Sequence, residues 1–335
     1  MQKYKIIFIL IVLFVFSCKK QKKISSGNFN DIIIITSAAD SMHIEPLINK
    51  YLFNDSLYTP EIQPIYNLKW IDYRKFKHYK NFSKIFIISL DEPKDSTIDI
   101  FVKNFLTEKT IDSQPLYIEN VHSEPQLISI INSFNKSSFD SLLNHISFDT
   151  KTLINLNAYD FLNAESQKKS LDSSLIDLTY KIFNKKISYD DNFKLIDTLT
   201  IKDNKYLWAG KGSINTNNSN YQWIIINEHA LDEVQGNIDL SNKVINDIKT
   251  INNEIEVLSN YNIYSKNIFN DRIIYSINTL YNLDKHKTGG PLIIYRIDNY
   301  KTKKSTTLYG LVNAPGQNKI KYIKELESML RNSIF

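Results

Sequence analysis

The chain has 335 residues, with 41 Lys and Arg against 36 Asp and Glu, and a single cysteine. Six lysines fall within the first 23 residues, where no acid occurs. The rest therefore holds 35 basic residues (41 − 6) against 36 acidic ones, without the clustered basic footprint of a nucleic-acid binder. One cysteine excludes intramolecular disulfides and zinc–thiolate clusters, and its position in the leader removes it from thiol catalysis in the body.

Lys3 and Lys5 form a charged start, and Ile6 through Phe16 is an unbroken apolar run. Crossing a bilayer takes roughly 20 apolar residues, so this run reads as a signal-peptide core rather than a durable span. Val15-Phe16-Ser17-Cys18 then reads as a lipobox, with the only cysteine placed where the apolar run stops. Residues 1–18 are accordingly expected to be a lipoprotein signal, and Cys18 the acylated first residue of the mature chain. Two or more acyl chains hold a protein stably on a membrane, and Lys19, Lys20, Lys22 and Lys23 add attraction to an anionic surface. Lys19 stands where aspartate would favour retention at an inner membrane, so the expected location is the outer membrane, facing the periplasm.

Residues 19–30 are polar and read as a flexible tether. The expected organisation is then an N-terminal α/β domain over 31–148, a helical connector over 149–186 and a C-terminal domain over 187–335. In the first domain, Ile32–Ile35 and Ile85–Ile88 are short β-branched runs of the kind buried on both faces. Asp40 and Ser41 can cap a helix bearing Ile44, Leu47, Ile48 and Tyr51. Ile62–Tyr73 and Leu116–Val121 read as extended. After Ser123-Glu124-Pro125, the spacing of Leu127, Ile130, Ile131 and Phe134 predicts a helix, and Phe139, Leu142, Leu143 and Ile146 predict another. Leu171, Leu175, Leu178 and Ile182 give the connector its helical period.

Seven of the eight glycines lie at or beyond Gly210, and strands now follow one another. Candidates are Asn192–Thr198, Lys205–Gly210, Tyr221–Asn227, Arg272–Leu280, Leu292–Asp298 and Thr306–Val312. One helix is predicted on Val244, Ile248, Ile251, Ile255 and Leu258, and a last one on Ile323, Leu326 and Leu330. The fold class is α+β: two α/β parts, the C-terminal one an antiparallel sheet with helices packed on it.

Thr288-Gly289-Gly290-Pro291-Leu292-Ile293-Ile294-Tyr295, Leu308–Pro315 and Tyr322–Leu330, with Leu207-Trp208 and Gln222–Ile225, resemble a family of lipoproteins from Bacteroidota-type bacteria, the domain of unknown function 4837. The leader and the Asp31–Ile35 strand also sit where that family has them. The resemblance implies an envelope lipoprotein with no established activity, and the residues themselves show no cofactor-binding constellation. Asn278-Thr279-Leu280-Tyr281 stands where the family carries Arg-Gly-x-Trp, and Leu292 where it carries Phe, so any role of those side chains does not transfer. The strand-rich second half also looks like the PsbP-like sandwiches, a likeness of fold that brings no function with it.

Gly289-Gly290-Pro291 can line a pocket together with Trp208 and Tyr281, or form a tight turn entering the Leu292 strand. Gly210-Lys211-Gly212 lacks the third glycine and the following helix of a nucleotide loop. Glu228-His229 with Asp232-Glu233 groups metal-capable side chains but lacks a further ligand in register, and reads as solvated loop. No Gly-x-Ser-x-Gly elbow occurs. Asp190-Asp191 are carboxylates that point apart on an extended chain, and the tryptophans serve either a core or a glycan-stacking surface. The leading expectation is a non-enzymatic binding or scaffolding module whose partner is an envelope protein or glycan. A glycan- or peptidoglycan-directed hydrolase and a small-ligand carrier are the alternatives.

Overall fold

The computed structural model describes residues 22–57, 59, 62–92, 98, 101–102, 114–201, 204–212, 220–283 and 288–334. The leader, Cys18 and Lys19 lie outside the described residues. Contacts divide the chain into one unit of residues 1–51 and 68–161 and a second of residues 52–67 and 162–335.

The first unit is built on a five-stranded sheet in the order β4-β1-β5-β7-β6. These strands are β1 (Asp31–Ile35), β4 (Asn67–Ile71), β5 (Lys84–Leu90), β6 (Leu116–Glu119) and β7 (Leu127–Ser133). β1, β5 and β7 run parallel, and β6 pairs antiparallel with β7. Every residue of β1 and β5 is buried, as expected of β-branched runs covered on both faces. Helix α1 (Ala38–Tyr51) follows β1 and buries Ile44, Leu47 and Ile48.

The segment 127–134, predicted helical from its apolar spacing, is instead strand β7. A run of Leu-Ile-Ser-Ile-Ile satisfies a helical period and a doubly buried strand equally, and β-branching with parallel pairing to β5 decides for the strand. The long helix α2 (Lys136–Ser166) starts after it, where the Asn135 side chain accepts from the Ser138 amide at 3.0 Å. Residues 24–29, expected as tether, lie against this unit. Ile24 bridges Glu124, Ser26 bridges Phe82, and Phe29 is buried. Gly27 makes the bend at φ +86°, and Asp31 accepts from the Asn28 amide, so the polar composition reflects a hydrogen-bonded turn rather than free chain.

The second unit contains a seven-stranded antiparallel sheet in the order β11-β12-β13-β14-β10-β9-β8. Its strands are β8 (Lys194–Ile201), β9 (Asn204–Gly212), β10 (Tyr221–Ala230), β11 (Glu256–Phe269), β12 (Arg272–Leu283), β13 (Thr288–Asn299) and β14 (Lys304–Asn313). Helices cover both faces. On one face α3 (Ser173–Phe183) and α5 (Ile320–Asn332) bury Leu175, Phe183, Ile323, Leu326 and Leu330 against Leu207, Ile224, Ile226, Ile293 and Leu308. On the other, α4 (Asn237–Ile251) buries Leu240, Val244 and Ile248 against Trp223, Ile225, Tyr281, Ile294 and Tyr309. The two cores alternate along each strand, as period-two side chains require. A short hairpin, β2 (Ser56–Leu57) with β3 (Gln63–Pro64), belongs to this unit, and Gln63 accepts from the Lys319 amide at 2.9 Å before α5.

The helix predicted through Leu258 ends at Ile251. Asn252 leaves helical geometry (φ −144°, ψ 107°), Ile255 is buried in the connection, and Leu258 already lies on β11. The edge strand β8 exposes Leu195, Ile196 and Leu199, and its ladder to β9 skips Ile196: Leu195 pairs Ala209 and Asp197 pairs Trp208.

Candidate functional site

At one end of the seven-stranded sheet, where β9 and β14 finish and β10 starts, lies a half-open cavity of about 230 Å³. Three strands bring its wall into register. Lys211, Gln222 and Val312 form one row, and Gly212, Tyr221 and Asn313 the next. Gly212 has φ +87°, and a β-carbon there would stand 1.9 Å from the Asn220 carbonyl oxygen, so only glycine closes β9 on β10 at this point. Asn192 and Tyr322 complete the lining with Asn220.

The chemistry of this wall is dominated by amides. Gln222 is 3% exposed, donates to the Tyr322 carbonyl at 3.4 Å, and leaves its Oε1 without a partner among the described residues. Asn220 donates to Gln317 Oε1 at 2.8 Å and to the Tyr322 hydroxyl at 3.3 Å, while its own buried Oδ1 is unpartnered there. Lys211 donates to Asp190 at 2.8 Å. Burial pushes the Asp190 carboxyl up, but the lysine ammonium and the Asn192 amide outweigh it, and the group is held below the usual carboxylate range. The pair is thus charged on both sides and neutral in sum.

The residues singled out in the sequence lie in the same sheet but do not line this cavity. Gly289, Gly290 and Pro291 stand on β13, opposite Asn282, Tyr281 and Leu280. They are not the turn expected from their composition, and that connection, residues 284–287, lies outside the described residues. The glycines are needed for space: a β-carbon at Gly290 would meet the Val312 carbonyl oxygen at 2.1 Å, and one at Gly289 the Tyr281 carbonyl at 2.3 Å. Pro291 precedes the start of the β13–β14 ladder at Leu292, which spares that ladder a missing donor.

Tyr281 donates to the Tyr221 hydroxyl at 2.9 Å, and burial drives its own ionisation well above the normal tyrosine range. Tyr221 stacks on Trp223 at 4.6 Å, and Trp223 meets Trp208 edge-on at 4.8 Å. Trp208 and Tyr281 are therefore joined through a row of aromatic rings packed in the core beneath α4. The row approaches the cavity at Tyr221.

The opposite end of the same sheet holds the charged residues. Arg296 and Asp298 are fully buried and bonded at 2.9 Å, and Ser305 donates to Asp298 at 2.7 Å. Arg296 also binds the Asp232 carboxylate and donates to its carbonyl at 2.7 Å. Burial raises the Asp232 carboxyl, and the guanidinium more than reverses the shift, leaving it lowered. His229 is not in a solvated loop: its side chain is mostly buried, with Nε2 3.2 Å from Asp247 on α4. That hydrogen bond raises its pKa above the usual histidine value, against the effect of burial. Glu228 points to the other face and pairs with Lys304 at 2.9 Å. Neighbours in sequence are thus split between two ion-pair systems, and among the described residues no group of three or more metal-capable side chains converges. Asp190 and Asp191 are likewise separated, one buried on Lys211 and one exposed.

Sequence reasoning gave no role to Gln222, Asn220, Lys211 or Tyr322: Gln222 and Tyr322 entered only with the family resemblance and Lys211 only with a rejected nucleotide loop. The one available signal was Gln222 itself, a lone amide opening an otherwise apolar strand. The assembly of its neighbours needs the register of three strands and a helix start. Comparison with curated proteins gives no match, and comparison with solved structures gives none either. The leader, Asp31–Ile35 and the whole first unit fall outside the one family match found, whereas every residue lining the cavity falls inside it. Residues 181–332, which hold all seven strands of this sheet with α4 and α5 but only the end of α3, match the model of the family described as a domain of unknown function, DUF4837.

Proposed function

We propose that the chain is a cell-envelope lipoprotein, held in the outer membrane by acylated Cys18 and facing the periplasm, whose folded part is a non-enzymatic binding module. The observation behind the anchor is the placement of the only cysteine at the end of an eleven-residue apolar run, followed by four lysines. No described helix is long and apolar enough to cross a membrane. Binding is favoured over glycan hydrolysis by the state of the carboxylates. A glycosidase needs two carboxyl groups about 5–10 Å apart across a cleft, one of them free to donate a proton. Here the cavity lining contains no carboxylate, and Asp190 beside it is tied to Lys211 at 2.8 Å.

Metabolic labelling with a fatty-acid probe and membrane fractionation test the anchor. Wild type should label and sediment with outer membranes, and Cys18→Ser should lose the label and enter the soluble fraction. A Cys18→Ser chain that stays membrane-bound with unchanged processing would refute the anchor. Release of reducing sugar from envelope glycan by the purified chain would refute the non-enzymatic reading. Protease treatment of intact cells reports the side.

A further inference from the structure

We infer that the cavity at the Gly212–Tyr221–Asn313 end of the sheet is a binding site for a single neutral, hydroxyl-rich sugar unit. This deepens the binding-module reading and rests on it. At about 230 Å³ the space falls below the ~300–1,000 Å³ of pockets that take drug-sized ligands, so it suits one ring rather than a chain segment.

Hydrogen-bond polarity narrows the occupant. Gln222 is almost wholly buried, yet its Oε1 has no partner among the described residues, and neither has the buried Oδ1 of Asn220 at the rim. Leaving a buried carbonyl oxygen unmet is costly, and only a donor relieves it. Acetate brings acceptors alone, phosphate brings a hydroxyl donor but with a charge that must be desolvated, and an apolar ligand brings neither kind of group. Lys211 offers little net attraction to an anion, because Asp190 is bound to it at 2.8 Å. The Gln222 Oε1 is sealed from solvent, so a sugar hydroxyl donates to it once the amide turns from its long 3.4 Å contact with the Tyr322 carbonyl. The hydroxyl can accept from Lys211 or from the Asn192 and Asn313 amides, which also line the space. The same groups that leave an anion unsatisfied therefore complete a polyol.

Saturation-transfer NMR and calorimetry on the full chain in detergent provide the test, with glucose, galactose and N-acetylglucosamine as probes and inorganic phosphate and acetate as controls. At least one sugar should bind, and neither anion should displace it. Gln222→Met keeps the side-chain length and removes the orphan oxygen. It should weaken sugar binding at least tenfold while thermal stability is unchanged or raised. Should that variant fold poorly, Asn220→Ala at the rim should still weaken binding severalfold. Absence of binding by all three sugars would mean the cavity holds only water and would overturn the inference. So would displacement by phosphate, or unchanged affinity in a folded Gln222→Met. Turnover of the matching p-nitrophenyl glycoside would instead overturn the non-enzymatic reading and leave the sugar site standing, so the two failures are distinguishable.

Discussion

Lys84, the first residue of β5, is buried completely, with its Nζ donating to the Phe29 carbonyl and lying 3.3 Å from the Ser83 hydroxyl. Burial lowers its pKa from 10.5 to about 7, against the opposing attraction of Asp31. Below pH 7 the lysine is charged in both folded and unfolded chains, and folding bears the whole desolvation penalty. Between about 7 and 10.5 the unfolded chain binds more protons than the folded one, so stability rises with pH across that window. Denaturant titrations at pH 7 and pH 10 should show a gain on the order of a few kcal/mol that is absent in Lys84→Met. Equal pH slopes for the two chains would contradict this account. At the same scale, Gly290→Ala should cost about 1–3 kcal/mol, because the new methyl meets the Val312 backbone rather than a side chain that can move. A lower denaturation midpoint at unchanged slope is the expected record. Both glycines of the Gly289-Gly290 pair were visible in the sequence as special positions. Their reason was not, since close approach of a neighbouring strand is set by pairing across tens of residues.

Elements were legible where one period dominated. Most strands of the second half, and the helices bearing Leu175 and Leu326, lie where alternation or helical spacing put them. β7 was missed because Leu127, Ile130 and Ile131 fit two periods at once, and only pairing to β5 separates them. β11 was missed because an edge strand needs little apolar character, and Asn, Ser and Tyr in its sequence resemble a loop. Ile62–Tyr73, expected as extended, carries β3 and β4, whereas β2 is only two residues long and left no pattern to read. α5 packs onto one sheet face with Leu326 fully buried among Ile293, Leu308 and Leu330. Leu326→Ala should therefore destabilise the chain by about 2–5 kcal/mol, measured by chemical denaturation. A loss under 0.5 kcal/mol would show that α5 does not depend on this contact.

At the scale of the whole molecule, the proposed location rests on the leader, while the cavity beside Gln222 depends on contacts between strands that no stretch of sequence displays. With 35 bases against 36 acids in the body, the proposed membrane attachment would rest on the acyl group and its neighbouring lysines. If Cys18 is acylated as proposed, confinement to a bilayer plane would raise the local concentration of the edge strand β8. Copies tethered in that way would collide often, and the edge strand β8, with Leu195, Ile196 and Leu199 exposed, is a surface on which strands from two copies would pair. The unpaired Ile196 breaks the even spacing that such zipping needs. One surplus residue should thereby hinder edge-to-edge pairing of neighbouring copies.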